Sequence, residues 1–516
     1  MICGDLLGER ARLSPEATAL VYVPTGERLT YRVLNERSIR CAVFLTHEFG
    51  LQMGDRVGIL AQNCVEFVET FFACGKSGVV LVPLNYRLTA RELEHIVRDS
   101  GMRALLFEEQ YADTAAILDK SCKLEKTACL DGEVERAISY KQVTSQIDIA
   151  DWKDSACTPE IAWCILYTSG TTGKPKGVII PHRMVLWNAF NTALSWQLRD
   201  SDIAPIITPL CHAGGLGVFL TPIFSVGGTI VLHRGFDAPK IWQTIEMEHC
   251  TLLMAVPTIF KMLMDTPEFH SVDISSVRWM ISGGAPLPLY LIEAYQKRGI
   301  TFKQGYGLTE VGVNCFTMSE DESRRKLGSI GKPMMFTEAR LIDSDGDEVV
   351  TGEVGELCLR GPHVCNGYWN NPEATAAALD KGGWWHTGDT ARRDSEGYFY
   401  IAGRAKDMFI SGGVNVYPAE VESELLLHPA VQDVAVIGRP DATWGEIGVG
   451  FVVLRPGLQA TGNELSIFLA SRLAKFKIPR EWLFIPELPR TPYGKVVKRE
   501  LEDWYVRKYS ASASQN

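Results

Sequence analysis

No apolar run opens the chain: MICGDLLGERARLSPE carries Asp5 and Glu9 where a secretory leader needs an uninterrupted hydrophobic stretch. None of the 13 cysteines stands in a CxxC pair and their number is odd, so neither a disulfide scaffold nor a zinc ribbon is indicated. These absences predict a reduced, intracellular protein, with the cytoplasm as its expected location. Positive charge is also short. With 52 Lys and Arg against 62 Asp and Glu, the net charge of -10 supplies no overall field to hold a nucleic acid backbone. The acidic excess lies upstream of Lys406, after which the two signs balance. The longest stretch free of Asp, Glu, Lys and Arg, Ile203 to His233, is long enough to span a membrane. Pro205, Pro209, Pro222, Gly214, Gly215, Gly217, Gly227 and Gly228 interrupt it, which predicts buried strands and loops beside a pocket. The ending SASASQN carries neither a prenylation nor a peroxisomal signal.

What the chain has is ample core material: 46% of its 516 residues are hydrophobic and 22% are charged, enough for roughly three domain-sized units. DRVGILAQN, CVEFVETFFACGKSG and VVLVPLN alternate strand, helix and strand, an α/β rhythm that recurs in VRWMISGG followed by PLPLYLIEAYQKRG. Beyond Gly346 the segments DGD, GEVGELCLRG and DSEGYFYIAG predict a small β-rich subdomain of short strands and turns. GRAKDMFISGG, Gly403 to Gly413, packs charges and glycines after a strand and precedes new helices and strands, which places a boundary there. The expected fold class is therefore α/β: a large N-terminal domain, 1–405, of two α/β subdomains plus the β-rich one, followed by a smaller, mobile α+β C-terminal domain, 406–516.

YTSGTTGKPKG, Tyr167 to Gly177, joins one apolar strand, IAWCILY, to another, VIIP. Its glycines let backbone approach an anion, its hydroxyls donate, and Lys174 and Lys176 add charge, a mixture suited to polyphosphate. It is not a Walker loop: Thr168 stands where the first glycine is needed, and Pro175 where Ser or Thr should follow the lysine. A flexible surface loop of similar composition would not order these residue types so strictly between two strands.

That segment resembles the phosphate loop of the adenylate-forming superfamily of acyl-CoA synthetases, luciferases and peptide-synthetase adenylation domains. Four more segments match in order: YGLTE at Tyr306, TGD at Thr387, GRAKD at Gly403 and PYGKVVKREL around Lys495. The resemblance covers essentially the whole chain and is nearest to acyl-CoA synthetases. It implies that Thr168, Ser169, Gly170, Thr171, Thr172, Gly173 and Lys176 hold the ATP phosphates. Tyr306, flanked by Gly305 and Gly307, would stack on adenine, and Thr309 would bond the α-phosphate. Glu310, with Thr168, would support Mg2+. SGGA is a common turn composition, but by resemblance Gly284 and Ala285 leave space beside nucleotide and acyl group. Asp389 would bind the ribose and Arg404 the ribose or a phosphate. Lys495 sits in the stretch Arg472 to Arg499, with eight basic and two acidic residues; such stretches usually form solvated faces. By resemblance it stabilises the adenylation transition state, Lys406 is the hinge, and Gly412 and Gly413 line a pantetheine tunnel after the small domain rotates.

The implied reaction is ATP-dependent activation of a carboxylic acid as acyl-AMP, then transfer to CoA with release of AMP and pyrophosphate. PLCHAGGLGVF, MAVPTIF and GVNCF should line the acid pocket, with His212 near the carboxylate and the pantetheine exit. No Lys, Arg or Asp lies between His212 and Phe219, which disfavours amino acids and dicarboxylates. A medium- or long-chain fatty acid is the expected substrate, placing the chain in lipid metabolism. An aryl-CoA ligase for benzoate- or cinnamate-like acids is the alternative, favoured if aromatic residues close the pocket floor. A carrier-loading adenylating enzyme, a non-catalytic nucleotide-binding relative and a luciferase-like oxygenase are the remaining options. The partners are the acid, ATP and CoA, without nucleic acid or membrane span; the resemblance is compatible with a homodimer.

Overall fold

The strand and helix runs in the first half fold into layered α/β structure because the strands are apolar on both faces and need cover on both. A computed structural model describes residues 5–168, 175–284, 287–412, 414–441, 443–490 and 496–513. A seven-stranded sheet runs in the order Ile138–Ser139, Lys126–Cys129, Ala104–Phe107, Arg56–Leu60, Val80–Pro83, Ala162–Thr168 and Lys176–Pro181. All neighbours are parallel except the last pair, an antiparallel hairpin. Val80–Pro83 and Ala104–Phe107 are buried throughout, as expected for parallel strands. The helix Val65–Ser77 is also buried along its whole length, with Phe71 stacked on Trp163 at 5.0 Å.

Two further sheets form the second α/β region. One orders Ile203–Ile206, Thr229–Leu232, Thr18–Tyr22 and Glu27–Thr30; the other is the parallel trio Leu252–Ala255, Trp279–Ser282 and Phe302–Gln304. The expected helix after SGGA spans Leu289–Lys297 and ends before Gly299 at φ +88°. An antiparallel meander follows, Glu338–Ile342, Val354–Arg360, Trp385–Arg393 and Phe399–Arg404, the β-rich unit foreseen beyond Gly346. It begins a few residues earlier than expected.

After Arg404 a single 3-10 turn, Ala405–Asp407, leads into a five-stranded sheet built on the long hairpin Val431–Asp441 and Gly445–Leu454. The helices Pro418–Leu425, Gly462–Ala470 and Lys498–Ala513 accompany it. Its apolar residues, from Phe409 to Tyr505, form two clusters of their own, while the three upstream clusters end at Phe399.

One expectation is corrected. The charge-free stretch Ile203 to His233 is not all strands and loops: between two strands it is helical from Ala213 to Val226, in short α and π segments. Pro222 stands in the first turn of the last segment, where a missing N–H costs nothing. Gly215 permits the close fit, since a Cβ there would meet the Pro209 carbonyl oxygen at 2.3 Å. Among the described residues no helix is long and apolar enough to cross a membrane.

Candidate active site

The two strands that flank the phosphate-loop segment pair antiparallel, with Thr168 and Lys176 as facing partners at the end next to it. Both line a cavity of about 1020 Å³ that also receives residues from the carboxyl ends of the parallel trio. Gly283 and Gly284 follow Trp279–Ser282, and Gly305, Tyr306 and Gly307 follow Phe302–Gln304. Strand carboxyl ends are where open α/β sheets take ligands. Gly284 has φ +82°, a conformation that favours glycine, and a Cβ there would meet only Val256 at 3.5 Å.

Asp389 and Arg404 are facing residues on adjacent strands of the meander. Arg404 Nε lies 2.7 Å from Asp389 Oδ1, and the Tyr306 hydroxyl donates to Asp389 Oδ2 at 2.6 Å. Burial, then the Asp389 charge, pushes the Tyr306 phenol well up, so it stays a proton donor. Its ring meets Phe316 edge-on at 5.7 Å. YGLTE, TGD and GRAKD, far apart in sequence, thus converge on one hydrogen-bonded triad.

Thr309 and Glu310 open a short 3-10 turn and line the same cavity. Sequence reasoning missed what holds Glu310: the Tyr368 hydroxyl donates to its Oε1 at 3.0 Å, and the Lys176 ammonium lies 5.0 Å over the Tyr368 ring. Tyr368 is placed by an antiparallel bridge to Val178. GYW after a strand gives no cue to such a role.

His212, Lys406 and Arg404 also line the cavity. The structure does not bring Gly412 there: its N–H donates to the Trp444 carbonyl at 2.8 Å, in a separate recess with Gly445 and Glu446. Ser169, Gly170, Thr171, Thr172, Gly173, Ala285, Gly413 and Lys495 lie outside the described residues. Sequence reasoning also missed Arg87, which reaches the wall beside Cys211 although the His212 to Phe219 segment itself has no charge.

The cavity lining also includes aromatic residues from outside the five motifs. Trp196 is one of them, packed edge-on to Trp279 at 5.5 Å and to Phe219 at 6.4 Å, its indole N–H bonded to the Phe316 carbonyl. Asn314 lines the cavity too. Its amide nitrogen donates to Thr192 Oγ1 at 3.0 Å and the Val218 carbonyl at 3.2 Å, so Oδ1 is the group it presents as acceptor.

The family profile described as AMP-binding enzyme matches residues 7–369, and that of the AMP-binding enzyme C-terminal domain matches 420–495. A feruloyl-CoA synthase from an Amycolatopsis species is 41% identical over 95% of this chain and 96% of its own. The long-chain-fatty-acid–CoA ligase FadD13 of Mycobacterium tuberculosis is 38% identical over 97% of this chain and 98% of its own. The Bacillus subtilis o-succinylbenzoate CoA synthetase MenE, solved with its acyl-adenylate intermediate, superposes with a TM-score of 0.85 at 33% identity, covering 96% and 98% of the two chains. With five motifs in order and one cavity lined by residues from four of them, the chain belongs to the adenylate-forming AMP-binding enzymes, on their acyl-CoA synthetase branch, and is an acid–thiol ligase.

Proposed function

We propose that the protein activates an aromatic, cinnamate-like acid with ATP and transfers it to CoA. The observation that carries this is Trp196 in the cavity lining, fixed by its packing on Trp279 and Phe219: a rigid aromatic group there would limit a long flexible chain and offer a ring to a flat acid. Asn314 in the same lining supplies one acceptor for a ring hydroxyl. The resemblance to a feruloyl-CoA synthase is in keeping with both. A fatty acid is the second reading, favoured by the similarity to FadD13.

In the mechanism we infer, Lys176 and the hydroxyls of the phosphate loop hold the triphosphate. Asp389 accepts the ribose hydroxyls while Tyr306 and Arg404 keep its carboxylate aimed, and Tyr306 presents a ring to adenine. Thr309 donates to the α-phosphate. Glu310 and Thr168 both line the cavity and offer oxygen ligands of the kind Mg2+ takes, and its charge would offset that of the phosphates. The acid carboxylate attacks the α-phosphorus, pyrophosphate leaves, and Lys495 stabilises the charge that concentrates there. Residues 406–516 then rotate about Lys406 relative to 1–405. That movement withdraws Lys495 and brings Gly412 and Gly413 beside the pantetheine path, where the CoA thiolate attacks the acyl carbonyl and AMP departs. His212, in the cavity lining, orients the carboxylate in this reading.

The assignment of Asn314 predicts a shift in preference. Asn314→Leu should lower the kcat/KM ratio of 4-hydroxycinnamate to cinnamate by roughly 2- to 12-fold, the worth of one hydrogen bond. Because both acids are compared on one variant, altered stability cancels. An unchanged ratio removes Asn314 from recognition. Tyr368→Phe keeps the ring under Lys176 and removes only the bond to Glu310. It should raise the Mg2+ concentration needed for half-maximal adenylation by roughly 2- to 12-fold while leaving the KM of the acid alone.

A further inference from the structure

Where the strand Val354–Arg360 pairs with Trp385–Arg393, the register breaks between Glu356 and Cys358 at a bulge that carries Thr387 and Gly388. Cys358 and His386 are facing partners, and Glu356, two residues before Cys358, shares its side of the strand. The result is a cluster of three different ligand types. His386 Nδ1 lies 3.1 Å from Glu356 Oε2 and 3.7 Å from Cys358 Sγ, and all three atoms lie within 4.8 Å of one another. A tetrahedral Zn2+ with bonds of about 2.0 to 2.3 Å separates its ligands by roughly 3.3 to 3.7 Å. Two of the three separations already approach that spacing.

We propose that Glu356, Cys358 and His386 form a binding site for one borderline-soft divalent cation of the Zn2+ kind. Thiolate and imidazole select such an ion over Mg2+, which prefers an all-oxygen shell. Carboxylate and thiolate together neutralise the dication, so the loaded cluster carries no net charge into the wall. On binding, the Cys358 Sγ–H gives its proton to solvent in the cavity and its lone pair to the cation. Glu356 and His386 line that cavity and provide the way in, and solvent there supplies the fourth ligand. Arg340 also bonds the Cys358 sulfur, and its own charge is balanced by Asp380 at 3.0 Å while it stacks on Trp384 at 4.4 Å. Glu356 Oε1 also accepts from the Gly388 N–H at 3.1 Å, one residue from Asp389. A bound cation pulls on that carboxylate, so occupancy should oppose nucleotide binding.

Cd2+ is the probe that tests this, because its thiolate complexes absorb in the ultraviolet. Purified, reduced protein titrated with Cd2+ should show one equivalent of thiolate absorption that Cys358→Ser lacks, with both proteins melting at similar temperatures. His386→Gln should weaken that equivalent at least tenfold while leaving the thiol in place. Equal Cd2+ absorption in wild type and Cys358→Ser overturns the site, since any signal then comes from other thiols. An equivalent that survives in His386→Gln at full affinity overturns the three-ligand geometry. None of these readings requires the enzyme to turn over, so they stand apart from the choice of acid. In turnover, Zn2+ inhibition should need at least tenfold more metal in Cys358→Ser.

Discussion

Lys495→Ala is expected to slow acyl-adenylate formation by about 10² to 10³, roughly 3 to 4 kcal/mol, the cost of losing one preorganised donor at a charge-concentrating transition state. The same variant should consume supplied acyl-AMP with CoA at nearly the wild-type rate, because in the proposed mechanism rotation removes this lysine before thioester formation. Single-turnover measurements of the two half-reactions separate the effects. Equal loss of both would contradict the assigned role and leave the lysine as a general support for the fold or for nucleotide binding.

Asp389→Asn should give the opposite pattern. Asp389 is 5% exposed and is held by the Tyr306 hydroxyl and the Arg404 guanidinium. Removing its charge weakens the pair with Arg404 and, in the proposed mechanism, the bonds to ribose, each charge-assisted and worth about 1.5 to 3 kcal/mol. Because the ribose stays in place from ATP through acyl-AMP, both half-reactions should fall, each by roughly 10- to 150-fold. The variant keeps the volume of the side chain and an acceptor for Tyr306. A loss confined to adenylation would mean that Asp389 does not hold the nucleotide through the second step.

The sequence made the strand and helix order legible because parallel strands are short and apolar throughout, and because glycines end the helices between them. The nucleotide end of the site was legible only through resemblance, since YGLTE, TGD and GRAKD match the family's motifs in order while each alone has an ordinary structural reading. Their convergence on the Tyr306–Asp389–Arg404 triad depends on cross-strand register that no single motif displays. Tyr368 was invisible for that reason: its partners, Lys176 and Glu310, stand almost two hundred and almost sixty residues away. The helical turns around Gly214 to Gly217 were misjudged because glycine reads as a breaker. Here the missing side chains let helix backbone sit against Pro209, an advantage only tertiary packing creates. The acid pocket was the least legible part, because Trp196 and Asn314, which line the cavity, and Phe219 and Trp279, which pack on Trp196, come from separate segments.

The most direct measurement is CoA-dependent AMP release by the purified protein with MgATP across two acid series, straight-chain alkanoates and ring-hydroxylated or unsubstituted cinnamates. The account predicts highest kcat/KM for a 4-hydroxylated cinnamate and little activity beyond short alkanoates. A maximum among medium or long alkanoates, with the cinnamates inactive, would contradict Trp196 as the determinant of the substrate.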